Sequence, residues 1–120
     1  MIKYERVGGF AGGEDALAIH DDGSLEIRSS ISGRLVHDIR SKLAPRALRR
    51  LLSLFEADFF SFESEYLAES PVFDRIIYTL TYASNSRTKT ITTDTGGNPP
   101  KGFQRIQKEL DLIIEKLERG

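Results

Sequence analysis

Near its start the sequence reads Ile2-Lys3-Tyr4-Glu5-Arg6-Val7-Gly8-Gly9-Phe10-Ala11-Gly12-Gly13. Its first half has the alternation that is typical of a half-buried β-strand. The four glycines that follow permit backbone angles closed to other residues and let another chain approach closely. Two interpretations of Phe10 are therefore open. In the first, the glycines shape a loop that carries Phe10, and Phe10 binds a partner protein as an apolar anchor. In the second, the glycines form a bulge that redirects the strand, and Phe10 folds back into the core.

More strands follow with the same period of two. Residues 16–20 and 25–28 alternate, and residues 21–24 between them have the composition of a hairpin turn. Residues 34–39 are a candidate for a further short edge strand. The side chains predicted to point inward from the first three strands are Ile2, Tyr4, Leu17, Ile19, Leu25 and Ile27.

Two helices are predicted. Pro45 suits the first turn of a helix, and it precedes an apolar stripe at helical spacing made of Leu48, Leu51, Leu52 and Phe55. The aromatic residues that follow, around Phe59, are expected to tuck under the sheet as this helix ends. The last segment carries the clearest helical stripe of the sequence, which consists of Phe103, Ile106, Leu110, Ile113, Ile114 and Leu117.

Between the helices the sequence predicts a loop over residues 61–71, then a strand over residues 72–83. A turn at residues 84–87 leads to a returning strand over residues 88–93, and residues 95–100 interrupt regular structure. Helices and sheet each have one apolar face. We therefore predict a single α+β domain over residues 1–120, with an antiparallel sheet of four to six strands, two helices packed on one face and the order β-β-β-(β)-α-β-β-α.

Composition excludes several classes of function. The chain has 120 residues, of which 39% are hydrophobic and 29% charged, as in a globular domain. Its net charge of −1 predicts neither a nucleic-acid partner nor a membrane partner. The absence of cysteine excludes disulfides, thiol catalysis and zinc–thiolate sites. No apolar run would span a bilayer, and the charged first residues do not resemble a signal peptide, so we expect a cytoplasmic protein.

No constellation of residues points to catalysis. The two histidines, His20 and His37, do not have the spacing of metal ligands, and no nucleophile is accompanied by a base and an orienting group. The glycines of residues 8–13 fit no nucleotide-binding motif, because a strand follows where such a motif needs a helix. We therefore expect no enzyme activity, no catalytic residues, no cofactor and no metal site.

Two clusters of charge remain. Residues 40–50 hold five basic side chains without an acid, which could contact phosphate groups or could simply form a solvated face. Residues 56–74 hold six acidic side chains without a base, which could form a solvated loop or complement the basic rim of a partner protein.

Three stretches carry a resemblance to a known family. They are Tyr4-Glu5-Arg6-Val7-Gly8-Gly9-Phe10-Ala11-Gly12, residues 51–60 ending in Ala57-Asp58-Phe59-Phe60, and Asp74-Arg75 with Tyr78-Thr79-Leu80-Thr81 ahead of Pro99-Pro100 and the last helix. Together they resemble the emfourin family, the protealysin-inhibitor-like small bacterial inhibitors of thermolysin-like zinc metalloproteases. The Gly-Gly-Phe-Ala-Gly segment is the specific part of this resemblance.

The resemblance implies a protein that blocks the active-site cleft of a prokaryotic thermolysin-like metalloprotease and needs no cofactor. If successive strands are antiparallel, residues 8–13, 29–33, 57–71 and 96–100 gather at one end of the sheet, whereas the tight turns lie at the other. Binding residues concentrate on loops held by a rigid scaffold. The predicted partner-binding residues are Gly8, Gly9, Phe10, Ala11, Gly12, Gly13, Ser30, Ile31 and Asn98.

In this interpretation, Phe10 enters the protease pocket that takes a bulky apolar side chain just after the cleaved bond, and the free inhibitor is a monomer. The alternative is a non-enzymatic interaction or regulatory domain that uses the same loops for a different partner. Nucleic-acid binding through residues 40–50 is the weaker alternative.

Overall fold

The computed structural model describes residues 1–9, 12–70 and 73–119, which form one sheet and two helices. Phe10 and Ala11 therefore lie outside the described residues. The elements in chain order are β1 (Ile2–Gly8), β2 (Gly13–Ile19), β3 (Ser24–Ile31), β4 (Arg34–Lys42), α1 (Pro45–Asp58), a 3₁₀ turn (Phe59–Ser61), β5 (Glu65–Tyr66), β6 (Ile76–Ser84), β7 (Arg87–Asp94) and α2 (Lys101–Arg119).

The sheet has seven strands in the order β4-β3-β2-β1-β6-β7-β5, and all neighbours are antiparallel except β5 and β7. Strand β1 thus lies between β2 and β6, with Gly8 opposite both Gly13 and Ile76. The hairpin from β2 to β3 turns where the sequence predicts it. There Gly23 has a φ of +89°, and the Asp22 carboxylate accepts a 2.9 Å hydrogen bond from the Ser24 N–H.

One face of the sheet and both helices form the core. All six side chains predicted to point inward from β1, β2 and β3 are at most 2% exposed, which confirms the predicted inward positions. They pack in one cluster with Phe55 of α1 and with the buried stripe of α2, namely Phe103, Ile106, Leu110 and Ile114. Phe59, in the 3₁₀ turn after α1, is fully buried as expected. The α+β class and the two predicted helices are therefore confirmed.

The predicted strand count is wrong, because the sheet has seven strands rather than four to six. Residues 34–39 do form a strand, which continues to Lys42. The additional strand is β5, two residues inside the predicted loop 61–71, which pair with Thr92 and Thr93. The strand predicted over residues 72–83 begins only at Ile76, since Phe73 and Asp74 form a turn in which Asp74 has a φ of +55°.

The loops lie at two opposite ends of the sheet. One end, which we call the glycine-loop end, holds Gly8, Gly9, Gly12 and Gly13, the β3–β4 turn, the described residues 67–70 and 73–75 of the connection before β6, and the end of β7. The turns at residues 20–24 and 84–87 lie at the other, as predicted. The acidic stretch 57–71 does not gather as a whole at the glycine-loop end. Its first part lies at the opposite end, where Arg87 stacks 4.0 Å from the ring of Phe60.

Neither helix is long and apolar enough to cross a membrane, within the described part of the chain.

Candidate protein-binding surface

The glycine loop, residues 8–13, joins the two strands at the middle of the sheet. Of its described residues, Gly8, Gly9 and Gly12 have φ angles of +116°, +83° and +62°. A Cβ atom on Gly8 would lie 2.4 Å from the Arg75 carbonyl oxygen. Glycine is therefore required at position 8 both because the φ angle is positive and because the backbone of Arg75 approaches so closely.

Backbone hydrogen bonds join the glycine loop to the segments on either side. The Gly9 N–H donates to the Arg75 carbonyl oxygen at 3.1 Å, and the Ser32 N–H donates to the Gly12 carbonyl oxygen at 3.3 Å. Within the loop, the Gly12 N–H donates to the Gly9 carbonyl oxygen at 3.2 Å. The loop, the β3–β4 turn and the connection before β6 therefore form one continuous surface.

Exposed apolar side chains concentrate on this surface. We call six of them the apolar rim: Val7, Ile31, Leu35, Val36, Phe73 and Ile77. Phe73 is 87% exposed, and Val7 and Ile77 are direct cross-strand partners on the sheet face opposite the helices. Among the described residues eight large apolar side chains are exposed. Six form this rim, Leu67 lies in the adjoining connection, and Leu112 lies on α2. Clustered exposed apolar residues are typical of interaction sites.

Of the apolar rim, the sequence interpretation named only Ile31, although part of the signal for the other residues was present. Val7 and Ile77 occupy outward positions in strands whose alternate residues are buried, so an apolar residue there has no core to enter. Phe73 has the parity of Ile77 in the strand predicted over residues 72–83 and so carries the same signal, but the structure places it in a turn before β6 begins at Ile76.

Asp94 holds the connection that carries Phe73. Its side chain is 1% exposed, and its two carboxylate oxygens accept hydrogen bonds from the Ala68 N–H at 2.9 Å and from Arg75 Nε at 2.8 Å. Both ends of the connection are therefore tied to the last residue of β7.

A polar cluster on the helix side stiffens the stem of the glycine loop. Arg6 makes two hydrogen bonds to Asp15, its direct partner on β2, at 2.7 and 3.1 Å, and contacts Asp111 of α2 at 3.0 Å. The Tyr4 hydroxyl donates to Asp111 at 2.8 Å. Ser29 extends the cluster to β3 by its hydroxyl, which contacts Asp15 at 2.5 Å and also Glu118. The cluster therefore joins three strands and α2 just below the loop.

Burial shifts the pKa values of three groups in or beside this cluster, namely Asp111, Tyr4 and Tyr78. Burial raises the pKa of the Asp111 carboxyl, although hydrogen bonds from Tyr4 and the charge of Arg6 oppose the increase. Burial and the neighbouring Asp111 charge raise the pKa of the Tyr4 phenol well above its usual range, and the same two causes raise the pKa of Tyr78. Tyr4 is therefore a neutral donor at physiological pH.

The cavity between this cluster and the loop is small. It has a volume of about 170 Å³ and is lined by Arg6, Gly8, Gly13, Asp15, Ile76, Tyr78 and Asp111. Clefts that bury small molecules usually exceed about 300 Å³. The exposed surface at this end therefore suits a protein partner better than a small ligand.

The structure brings most of the predicted site residues together. Ile31 is the cross-strand partner of Gly13, and Ser30 lies opposite Glu14. Asn98 is separate, because it follows Gly97, which contacts Tyr66 and Thr93 near the β5 edge of the sheet. The predicted Phe10 and Ala11 lie between described residues of the loop, and the structure gives no account of them.

No protein-family model matches the chain, and no curated protein matches its sequence. Over residues 1–9, 12–70 and 73–119, no group of three or more His, Asp or Glu side chains is placed to hold a metal ion.

Proposed function

We propose that this protein inhibits a thermolysin-like zinc metalloprotease by inserting its glycine-loop end into the active-site cleft. The proposal combines the resemblance of residues 4–12 to the emfourin family with one structural observation, the apolar rim around the glycine loop. The apolar rim supports the glycine-loop end as the protease-binding surface, since no other described surface concentrates exposed apolar side chains in this way.

The loop architecture suits entry into a narrow cleft. Glycines at positions 8, 9, 12 and 13 leave the backbone uncovered by side chains, so a partner surface can approach it closely. In this proposal Phe10 is the central apolar anchor, and the apolar rim surrounds it and excludes water, as neighbouring contacts do around a binding hot spot.

Rigid support lowers the cost of binding. The polar cluster around Arg6 and Asp15 holds together the two strands that carry the glycine loop. Asp94 holds the connection that carries Phe73. A surface that is ordered before binding loses less conformational entropy in the complex, and this raises affinity.

An inhibition assay tests the anchor. We expect Phe10→Ala to weaken inhibition of a thermolysin-like protease by about 2 kcal/mol or more, roughly 30-fold in the inhibition constant. The matched control is Leu112→Ala, because Leu112 is 48% exposed on α2, away from the rim. If the Phe10 variant inhibits as well as the parent, Phe10 is not an anchor. If that variant does not fold, Phe10 belongs to the core.

The apolar rim is tested separately. We expect Phe73→Ser to weaken inhibition by about 1 kcal/mol or more while leaving the unfolding free energy within about 0.5 kcal/mol of the parent, since an 87% exposed ring contributes little to the core. Equal inhibition constants for the variant and the parent would place Phe73 outside the interface.

A second function uses the same surface. The apolar rim predicts a protein partner without specifying a protease, so a non-enzymatic interaction or regulatory domain also accounts for it. A protein that does not inhibit thermolysin-like proteases, but loses binding to another protein when Phe73 is changed to Ser, would support this alternative.

A further inference from the structure

The outer edge of β4 is a long unpaired strand. Strand β4 ends the sheet and has nine residues, whereas the strand at the opposite edge, β5, has two. Among the described residues, no other strand pairs with the outer edge of β4. Exposed edges of this length present free N–H and C=O groups that can pair with another strand.

The hydrogen bonding of β4 shows which groups are free. The Leu43 N–H donates to the Gly23 carbonyl oxygen at 2.9 Å, so the backbone of residue 43 points toward β3. Because these directions alternate along an antiparallel strand, the N–H and C=O groups of Asp38 and Arg40 point outward, and those of Ile39 point toward β3.

We propose that this edge pairs antiparallel with the same edge of a second copy, centred on Ile39. A two-fold axis perpendicular to the sheet then places Asp38 opposite Arg40 of the second copy, and Arg40 opposite its Asp38. Both oppositely charged pairs lie on the sheet face away from the helices, since Asp38 and Arg40 are the β4 partners of Arg28 and Glu26. Such directly opposed charges stabilise strand pairing.

The same charges exclude the neighbouring registers. A shift of the axis to residue 38 would oppose two aspartates, and a shift to residue 40 would oppose two arginines, and like charges directly opposite one another are destabilising. Charged residues usually protect an edge from pairing. Here their order along β4 instead favours the register centred on Ile39 over both neighbouring registers when the partner is another copy of this chain.

Existing contacts leave these side chains available. The Asp38 side chain is 45% exposed and lies 3.9 Å from Arg28, at the limit of an ion pair, and the Glu26 carboxylate lies 3.7 Å from His20. Ile39 is half-buried on the helix face, so pairing would extend the core across the two-fold axis. A register shift between Ser29 and Ser30 leaves Val36 without a partner on β3, so the pairing of β4 with β3 is regular from His37 to Lys42.

The association is expected to be weak, because one strand pair buries less area than a stable interface needs. It does not depend on the proposed inhibitory function. The two copies run antiparallel, so their glycine-loop ends point in opposite directions and stay free. This inference departs from the sequence-based expectation of a monomer.

Sedimentation at micromolar to millimolar concentration tests the pairing. We expect the parent to dimerise with increasing concentration, and Asp38→Arg and Arg40→Asp each to remain monomeric, because each variant opposes like charges. An equimolar mixture of the two variants restores both oppositely charged pairs and should form a heterodimer. Arg46→Asp, the same charge change on α1, should dimerise like the parent.

A parent that is monomeric at millimolar concentration, a single variant that dimerises like the parent, or a mixture that does not associate would each overturn the proposal. Hydrogen exchange in the parent provides a test without substitutions. The amides of Asp38 and Arg40 should become protected as concentration increases, whereas the amide of Ile39 should be protected throughout. Unchanged exchange at residues 38 and 40 in concentrated samples would also overturn it.

Discussion

Gly8 is the residue at which the glycine loop depends most directly on the absence of a side chain. We expect Gly8→Ala to reduce the unfolding free energy by about 2–3 kcal/mol, because the added Cβ meets the Arg75 carbonyl oxygen at 2.4 Å and the φ of +116° is unfavourable for alanine. Gly33→Ala is the control, since Gly33 also has a positive φ but no atom within 4 Å, and it should cost only about 1 kcal/mol. Equal losses in urea unfolding would show that the contact with Arg75 is unimportant.

For individual residues, the sequence predicted which side chains of the first three strands are buried, but not which polar side chains pair across the sheet. A period of two is sufficient to assign Tyr4 and Leu17 to the core, because the apolar helix stripes require a covered face. That pattern also places Arg6 and Asp15 on the covered face, but nothing local shows that they pair across strands and reach Asp111. Such contacts depend on the position of α2, which is determined by tertiary packing.

Among the elements, the connection over residues 67–75 depends on Asp94. We expect Asp94→Asn to cost about 1–3 kcal/mol, since a carboxamide has one acceptor oxygen for the two donors, Ala68 N–H and Arg75 Nε, and leaves a buried group unpaired. Hydrogen exchange should accelerate at Ala68 while the β1–β2 amides exchange as in the parent. A uniform acceleration across the sheet would mean that Asp94 stabilises the whole fold rather than this connection.

Elements with their own periodicity were predictable, and elements fixed by their neighbours were not. Pro45 and the following apolar stripe predicted the start of α1, and the Asp21–Ser24 composition predicted a hairpin. Strand β5 has only two residues and no alternation, so its pairing with Thr92 and Thr93 is decided by the return of the chain from α1. The late start of β6 has a similar cause, because the connection before it is held to Asp94.

For the whole molecule, the Tyr4 hydrogen bond to Asp111 joins the sheet to the helix layer, and alkaline unfolding measures it. The folded-state pKa of Tyr4 is raised above its unfolded value, so its contribution to stability is fully present below about pH 10 and is lost as pH rises further. Tyr4→Phe should be less stable than the parent by about 1 kcal/mol at pH 8, because Asp111 loses a donor. Above pH 10 the parent should lose up to about 1.4 kcal/mol per pH unit relative to the variant, so the order of stability reverses. Urea unfolding of both proteins between pH 8 and pH 11.5 provides the measurement, and a constant difference across that range would contradict a buried, neutral Tyr4 at the contact between the two layers.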